Sequence, residues 1–156
     1  MSGRLSEEIK QTKPFASLAA EAALNIQRTA DQFTRMIAEA LKPADISPTQ
    51  YNALRILQGA GEDGRTCCEI AERMITRDPD ITRLVDRLCD RELAQRVRSE
   101  EDRRVVLVRI TQKGRKVIAD LAPVFVGLEH KMLGHFSDER LKLLIELLED
   151  ARLGNK

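Results

Sequence analysis

The order of structural patterns between residues 66 and 111 is the strongest constraint on the fold. Two short amphipathic helix patterns, joined by a turn, are followed by two β-rich runs at residues 95–98 and 105–110. The tip between these runs reads Ser99, Glu100, Glu101, Asp102, Arg103 and Arg104. A helix pair followed by a hairpin is the order of elements in a winged helix-turn-helix. We therefore expect a mainly α fold with a small β-wing and a surface that reads double-stranded DNA.

Long amphipathic helices are predicted on both sides of this head. The first carries an apolar stripe at helical spacing: Leu18, Ala22, Ile26, Ala30, Phe33 and Ile37. The last opens at Ser137, and its apolar face is Leu141, Leu144, Ile145 and Leu148. Such stripes exceed what one small head can cover, so they predict an interface between two copies of the chain. The expected organisation is a flexible arm at 1–14, a helical dimerisation region at 15–46 and 115–156, and a winged helix-turn-helix head at 47–114.

Capping residues set the expected helix starts within the head. Ser47 and Thr66 each precede a Gln or Glu by three residues, which is the spacing of a capping box. The helix after Thr66 is expected to turn three residues inward, Ile70, Ala71 and Met74. For the third helix of the head, Asp78 is the expected cap and Pro79 the first helical residue. That helix has an apolar stripe of Ile81, Leu84, Val85 and Leu88 and a polar opposite face, which makes it the candidate recognition helix.

The helix that follows the wing is expected to begin after Thr111, whose hydroxyl can cap it. Pro123 is expected to kink or restart this helix because proline cannot donate a backbone hydrogen bond. Gly134 is the expected C-terminal stop. Two helices therefore complete the chain after the wing.

Arginine supplies all of the positive charge in the head. Residues 47–111 contain twelve Arg and no Lys, against twelve Asp and Glu. The planar guanidinium suits guanine edges, phosphates and narrow minor grooves, so affinity is expected to depend on geometry more than on bulk charge. The predicted DNA contacts are Arg65, Thr76, Arg77, Asp80, Thr82, Arg83, Arg87, Arg103 and Arg104. Asp102 is expected to orient the Arg104 guanidinium and so to hold the wing tip in shape.

Composition and motifs argue against other classes of protein. Aromatic residues make up 3% of the chain, too few for a base-stacking platform. No nucleophile–base pair, phosphate loop or metal-ligand spacing can be read, and His130 and His135 do not share a helical face, so neither an enzyme nor a cofactor or metal site is predicted. No apolar segment approaches the roughly 20 residues of a membrane span. Three cysteines and no secretion signal predict a cytoplasmic protein.

The cysteines leave one alternative open. Cys67 and Cys68 lie at a helix start, where the helix dipole lowers a thiol pKa and favours oxidation. The simpler interpretation is that they are small packing residues, since cysteine is usually buried. A redox-responsive regulator that uses Cys67, Cys68 or Cys89 is therefore an alternative, as is a winged-helix adaptor that binds protein and no DNA.

Several ordered motifs resemble the MarR family of bacterial transcription regulators. They are Ser47-Pro48-Thr49-Gln50-Tyr51, Glu69-Ile70-Ala71-Glu72, Ile81-Thr82-Arg83-Leu84-Val85-Asp86-Arg87-Leu88, and Asp102-Arg103-Arg104 followed by Ile110-Thr111-Gln112-Lys113-Gly114. Ile110 stands where the family usually has Leu. The resemblance spans residues 15–152.

The resemblance implies a homodimer whose first and last helices interlock and whose two heads read a pseudo-palindromic operator. It also implies a repressor that a small aromatic or phenolic effector releases, with the effector bound between the dimer helices and the heads. The residues that line the expected pocket are Phe33, Met36, Tyr51 and Leu54. Residues at this helical spacing more often belong to a packed core, which is the alternative to a pocket lining.

Overall fold

The computed structural model describes residues 4–77 and 80–154. The helices in those residues are α1 (Arg4–Glu8), α2 (Leu18–Leu41), α3 (Pro48–Ala60), α4 (Cys67–Arg73), α5 (Ile81–Asp90), α6 (Gln112–Leu133) and α7 (Asp138–Leu153), with a short 3-10 turn at Lys42–Ala44. Two strands, β1 (Ala94–Arg98) and β2 (Val106–Ile110), form an antiparallel hairpin. The predicted mainly α fold with a small β-wing is confirmed.

The chain divides into two compact units, Met1–Glu39 and Ala40–Lys156. The first unit holds α1 and most of α2. Helix α2 begins at Leu18, later than predicted, because the Ser17 hydroxyl accepts a hydrogen bond from the Ala20 N–H at 3.0 Å. The second unit holds the end of α2, the head, α6 and α7.

Helix α1 departs from the expectation of an arm without regular structure. Arg4–Glu8 is helical, and Leu5 is buried within the first unit. Glu8 also pairs with Arg28 of α2, with 3.7 Å between the charged atoms. A single buried leucine in a polar segment gives no periodic signal, which explains why the sequence pattern missed this helix.

The core of the second unit is built from the apolar faces of the head. The capping boxes of Ser47 and Thr66 are both present, and α3 and α4 begin directly after them. The expected inward residues of α3 and α5 are buried: Tyr51, Leu54, Leu57, Ile81, Leu84, Val85 and Leu88. Ala71 is exposed, so its predicted inward position was wrong. In the seven-residue helix α4, Ile70 fills the core position and the next residue turns away from it.

Helix α5 begins later than the sequence predicts. Asp78 and Pro79, the expected cap and first helical residue, lie outside the described residues. The helix starts at Ile81, and Asp80 is its N-cap, since the Asp80 carboxylate accepts a hydrogen bond from the Arg83 N–H at 3.0 Å. Asp80, predicted as a DNA contact, therefore has a structural role at the helix start.

The wing is anchored to the helical part of the head by a short backbone ladder. Ala94 pairs with Ile110 at the base of the hairpin. The N–H of Arg65 donates to the carbonyl of Val108 at 3.0 Å, and the N–H of Val108 donates back at 2.7 Å. The preceding Gly64 has a φ of +71°, and a Cβ there would lie 2.7 Å from the Val108 oxygen. Only glycine fits this close approach of loop to strand.

Two long helices complete the unit after the wing. Helix α6 runs through Pro123 to Leu133 and ends at Gly134. The helix therefore does not restart at Pro123, the alternative of a kink there stays a prediction, and the predicted stop at Gly134 is confirmed. A proline whose lost hydrogen bond lies on an exposed face does not have to end a helix. Helix α7 begins after Ser137 as expected, and it buries none of its residues. No helix in the described part of the chain has both the length and the apolar character needed to cross a membrane.

Candidate DNA interface

Helix α5 presents a polar face to solvent because the core covers its apolar stripe. Thr82, Arg83 and Arg87 are exposed on this face. Neither guanidinium forms an ion pair with any residue that the structure describes. Two unpaired cations one helical turn apart, beside a hydroxyl, are available to contact phosphates and base edges.

Asp86, on the same face, is not available in this way. Its carboxylate lies 2.5 Å from the Arg96 guanidinium of β1. This contact raises the pKa of Arg96 above its ordinary value, chiefly through the hydrogen bond to Asp86. The side chains are 51% and 32% exposed respectively, so the pair lies at the surface where the recognition helix meets the wing. It fixes the start of the wing to the middle of α5.

The wing tip is organised by hydrogen bonds to its own backbone. The Asp102 carboxylate accepts from the Arg104 N–H at 2.9 Å, and the Asp102 carbonyl accepts from the Val105 N–H at 2.9 Å. The Arg98 guanidinium donates to the Arg103 carbonyl at 2.8 Å. Asp102 was expected to hold the Arg104 guanidinium, but within the described residues it binds the backbone instead. The side chain of aspartate is short, so its carboxylate readily accepts a hydrogen bond from the backbone N–H two residues later. The guanidinium of that residue lies at the end of a long side chain and is further away.

This arrangement leaves both arginines at the tip exposed. Arg103 contributes its carbonyl, and Arg104 its N–H, to the turn. Their guanidinium groups form no ion pair in the described part of the chain. A rigid turn that projects two free guanidiniums is suited to a narrow, negatively charged groove.

The remaining predicted contacts lie in the segments that precede α4 and α5. Thr76 and Arg77 are exposed in the loop that leads to α5. Arg65 is half-buried, and its guanidinium donates to the Gly64 carbonyl at 2.7 Å. Thr76 and Arg77 are therefore more accessible to a ligand than Arg65 is.

The start of α4 beside Arg65 is held by a strong capping box. The Thr66 N–H donates to the Glu69 carboxylate at 2.9 Å, and the Glu69 N–H donates to the Thr66 hydroxyl at 3.2 Å. The backbone and side-chain hydrogen bonds from Thr66 hold the pKa of Glu69 below its ordinary value of 4.5. Arg65 and Arg73 act in the same direction. Glu69 is thus committed to the helix start and has no direct part in the interface.

Sequence reasoning missed the residues that hold the interface together. Asp86 and Arg96 are separated by ten residues and lie on different elements, and the contact arises only from the packing of α5 on β1. Asn52 of α3 is a second case, because its side-chain oxygen accepts from the Ile75 N–H at 2.8 Å. The opposite charges of Asp86 and Arg96, on a helix and the strand that follows it, were the one sequence signal for their contact. The sequence gave no signal for the contact between Asn52 and Ile75.

The cysteines lie beside this surface and are not disulfide-bonded in the described residues. Cys68 is exposed, and Cys67 and Cys89 are half-buried. Burial raises the pKa of Cys89, which disfavours its thiolate. The packing interpretation fits the two half-buried cysteines, while Cys68 is a surface residue.

A cleft between α3 and α6 is the nearest feature to the expected effector pocket. It has a volume of about 530 Å³, and its lining includes Tyr51, Arg55, Gln58, Phe125 and Glu129. The Tyr51 and Phe125 rings stack with centroids 4.2 Å apart, and Arg55 lies over the Tyr51 ring at 5.9 Å. The lining is therefore part aromatic and part charged.

The expected pocket residues do not all belong to this cleft. Leu54 has no exposed surface, packs in the core and is not among the residues that line this cleft, so its place in an effector pocket stays a prediction. Phe33 and Met36 are half-buried and belong to the first unit. Their contact with an effector stays a prediction.

The fold agrees with that of known proteins. Residues 35–121 match the family described as transcriptional regulator SarA/Rot. A crystal structure of a MarR transcription factor from Planctomyces limnophilus is 40% identical, covers 87% of this chain and 98% of its own, and superimposes with a TM-score of 0.66. The chain belongs to the MarR family of transcriptional regulators. The resemblance carried by the capping, helix and wing motifs is thereby confirmed.

Two solved structures of lower sequence identity share the fold. A mutant of MarR from Escherichia coli, solved in complex with operator DNA, is 22% identical over 96% of this chain and 99% of its own, with a TM-score of 0.75. CouR from Rhodococcus jostii, solved with bound p-coumaroyl-CoA, is 22% identical over 87% of this chain and 94% of its own, also with a TM-score of 0.75. The fold of this chain is thus shared with proteins that differ widely from it in sequence.

Proposed function

We propose that this MarR-family regulator binds a specific double-stranded operator, with α5 in a major groove and the wing tip in the adjacent minor groove. One observation carries the proposal. The free guanidiniums of Arg83 and Arg87 on α5, and those of Arg103 and Arg104 on the wing, project from a single folded unit whose helix and wing are joined by an ion pair. A duplex offers two neighbouring grooves of different width to such a pair of elements.

The proposed contacts divide by chemistry. Thr82 and Arg83, at the start of α5, face base edges, because the N-terminal residues of a recognition helix enter the groove. Arg87 lies one turn further along and meets a phosphate. Arg103 and Arg104 enter the minor groove, whose negative potential favours guanidinium. The backbone contacts at the edge of the footprint are Arg65, Thr76 and Arg77, and Asp80 acts through the helix start that it caps.

The protein acts as a homodimer in this proposal. No residue of helix α7 is fully buried within its own chain, and the side chains of Leu143, Ile145, Leu147 and Leu153 are each more than half exposed. Apolar surface of this extent is typical of an interface rather than of a monomer surface. A two-fold dimer places its recognition helices about one DNA turn apart, roughly 34 Å, so the operator is a pseudo-palindrome.

A small aromatic or phenolic effector releases the operator. The cleft between α3 and α6 supports this part of the proposal, since Arg55 supplies a cation beside the stacked rings of Tyr51 and Phe125. The CouR structure supports it as well, because that relative holds an aromatic acyl-CoA. Effector binding and DNA binding oppose each other, so each weakens the other by the same factor.

We further propose that the chain is a cytoplasmic regulator and has no catalytic role.

Fluorescence anisotropy with operator DNA tests the proposal. We expect Arg83→Ala and Arg104→Ala each to weaken binding by about 1 to 3 kcal/mol and to leave the dimer intact. The matched control is Arg35→Ala, which removes an arginine of α2 paired with Asp31 at 3.0 Å, and we expect it to bind as the wild type does. Weak, salt-insensitive binding to every DNA fragment contradicts the proposal and points to a protein adaptor.

A further inference from the structure

Ile75 is the most exposed large apolar side chain of the second unit, among the residues that the structure describes. It is 89% exposed, whereas Val106, the other large aliphatic side chain exposed on the described part of the head, is 41% exposed. Ile75 lies in the loop between α4 and α5, next to the exposed residues Thr76 and Arg77. A single exposed aliphatic residue is ordinary on a protein surface, so its exposure alone does not indicate a role.

The backbone at Ile75 is nevertheless held by its own N–H and by the buried residue before it. The preceding residue, Met74, is buried in the core and ends α4, its N–H donating to the Ala71 carbonyl at 3.3 Å. The Ile75 N–H donates to the side-chain oxygen of Asn52 at 2.8 Å. Asn52 lies on α3, so a different helix fixes the position from which this side chain projects. The loop therefore presents the isoleucine to solvent from a restrained backbone.

The surroundings of Ile75 match the chemistry of a major groove. A hydroxyl and a guanidinium follow it in the sequence, and α5 begins a few residues later. Hydroxyl and guanidinium groups bind phosphates, and the thymine methyl is the apolar group that base edges display in this groove. We propose that Ile75 is a specificity-determining residue that packs on a thymine methyl of the operator, just outside the bases read by α5. This inference rests on the proposed function of the chain as a DNA-binding regulator.

Removing single methyl groups from the operator tests this contact. Each thymine of one half-site is replaced in turn by deoxyuridine, which lacks only the methyl, and the affinity of each DNA is measured by anisotropy. The proteins are the wild type, Ile75→Ala and the matched control Ile75→Val, which keeps a branched aliphatic side chain. Light scattering measures the oligomeric state of each of the three proteins.

For the wild type and Ile75→Val, we expect deoxyuridine at one or two of the thymine positions in each half-site to lower the affinity about fourfold. This is the effect on binding expected for the loss of one buried methyl group. Ile75→Ala binds the unmodified operator more weakly than wild type and loses nothing further at those thymines. An equal deoxyuridine penalty for wild type and Ile75→Ala overturns the proposal, as does the absence of any penalty. An Ile75→Ala protein with a changed oligomeric state also overturns it, because Ile75 then belongs to a protein interface. Failure of the wild type to select any operator instead refutes the proposed function.

Discussion

Replacing Asp86 by alanine removes the one ion pair that joins the recognition helix to the wing within the described residues. The perturbation is well defined. Alanine is a good helix former, so α5 itself is not weakened. The Arg96 guanidinium is left without its carboxylate, but it is partly exposed and can be hydrated. The expected effect is therefore loss of an attraction, without the large cost of a buried unpaired charge.

The magnitude follows from the geometry and the exposure of the pair. At 2.5 Å the contact is a short charge-assisted hydrogen bond, and such bonds contribute about 1.5 to 3 kcal/mol when protected from water. Exposed pairs contribute only about 0.2 to 1 kcal/mol, because solvent screens them. Asp86 is half exposed and Arg96 one-third exposed, so we expect a coupling energy of about 1 kcal/mol. In a chain of this length that corresponds to a fall in Tm of about 2 to 4 °C.

A double-mutant cycle measures this coupling directly. Urea unfolding of the wild type, Asp86→Ala, Arg96→Ala and the double variant gives the pairwise free energy. DNA binding is measured for the same four proteins, and we expect Asp86→Ala to lower the ratio of specific to non-specific affinity, because the wing is no longer fixed to α5 and the freed Arg96 attracts any phosphate. A coupling energy near zero, with an unchanged specificity ratio, refutes the reasoning.

Three further predictions concern other parts of the molecule. Asp102→Ala lowers operator affinity by about 1 kcal/mol, which is less than the effect of Arg104→Ala, because the wing tip loses the hydrogen bond to the Arg104 N–H but keeps the Arg104 guanidinium. Anisotropy measures both affinities, and a larger loss from Asp102→Ala contradicts this order. Glu69→Gln keeps the capping geometry but removes the charge. The pKa of Glu69 is lowered in the folded state, so the ionised carboxylate stabilises the fold above the ordinary pKa of 4.5, and this stabilisation is lost as the pH falls through the folded-state pKa. The gap in unfolding free energy between wild type and Glu69→Gln therefore closes in acid, and a gap independent of pH in urea titrations from pH 7 to about pH 3 refutes the assignment. Deleting residues 137–156 abolishes dimerisation and operator binding together, and a stable monomer by light scattering that still binds the full palindrome contradicts the dimer.

Local interactions explain why much of the fold was predictable. The helix starts at Ser47, Thr66 and Ser137 each depend on a hydroxyl that accepts a hydrogen bond from an N–H three residues later. Such a contact is complete within one turn, so sequence spacing alone identifies it. The apolar stripe of α5 was readable for the same kind of reason, because periodicity records which face is buried.

Choices between neighbouring residues were less predictable. Both Asp78 and Asp80 carry a capping carboxylate, and Asp80 is the N-cap that the structure shows. Pro123 breaks one hydrogen bond of α6, yet the helix continues because the flanking turns hold it. In each case the local pattern alone does not fix where the helix begins or whether it continues.

The contacts that hold the proposed interface in place could not be predicted from the sequence for a different reason. The Asp86–Arg96 pair and the Asn52–Ile75 hydrogen bond both join elements that meet only after the chain has folded. Asp102 illustrates the same limit at short range, since the pattern identified the carboxylate as important but not the backbone N–H that it binds. Residue types predicted the face that we propose meets DNA, and tertiary contacts determine its rigidity.

Selection of bound sequences from a random pool of duplex DNA tests the central claim most directly. The account predicts enrichment of an inverted repeat whose half-sites are centred about 10 base pairs, or one helical turn, apart. It further predicts that Arg83→Ala protein relaxes the sequence preference within each half-site, whereas Arg35→Ala protein selects the wild-type repeat. A pool that remains random after selection, or an enriched site without two-fold symmetry, contradicts the claim that paired heads of this chain read a duplex operator.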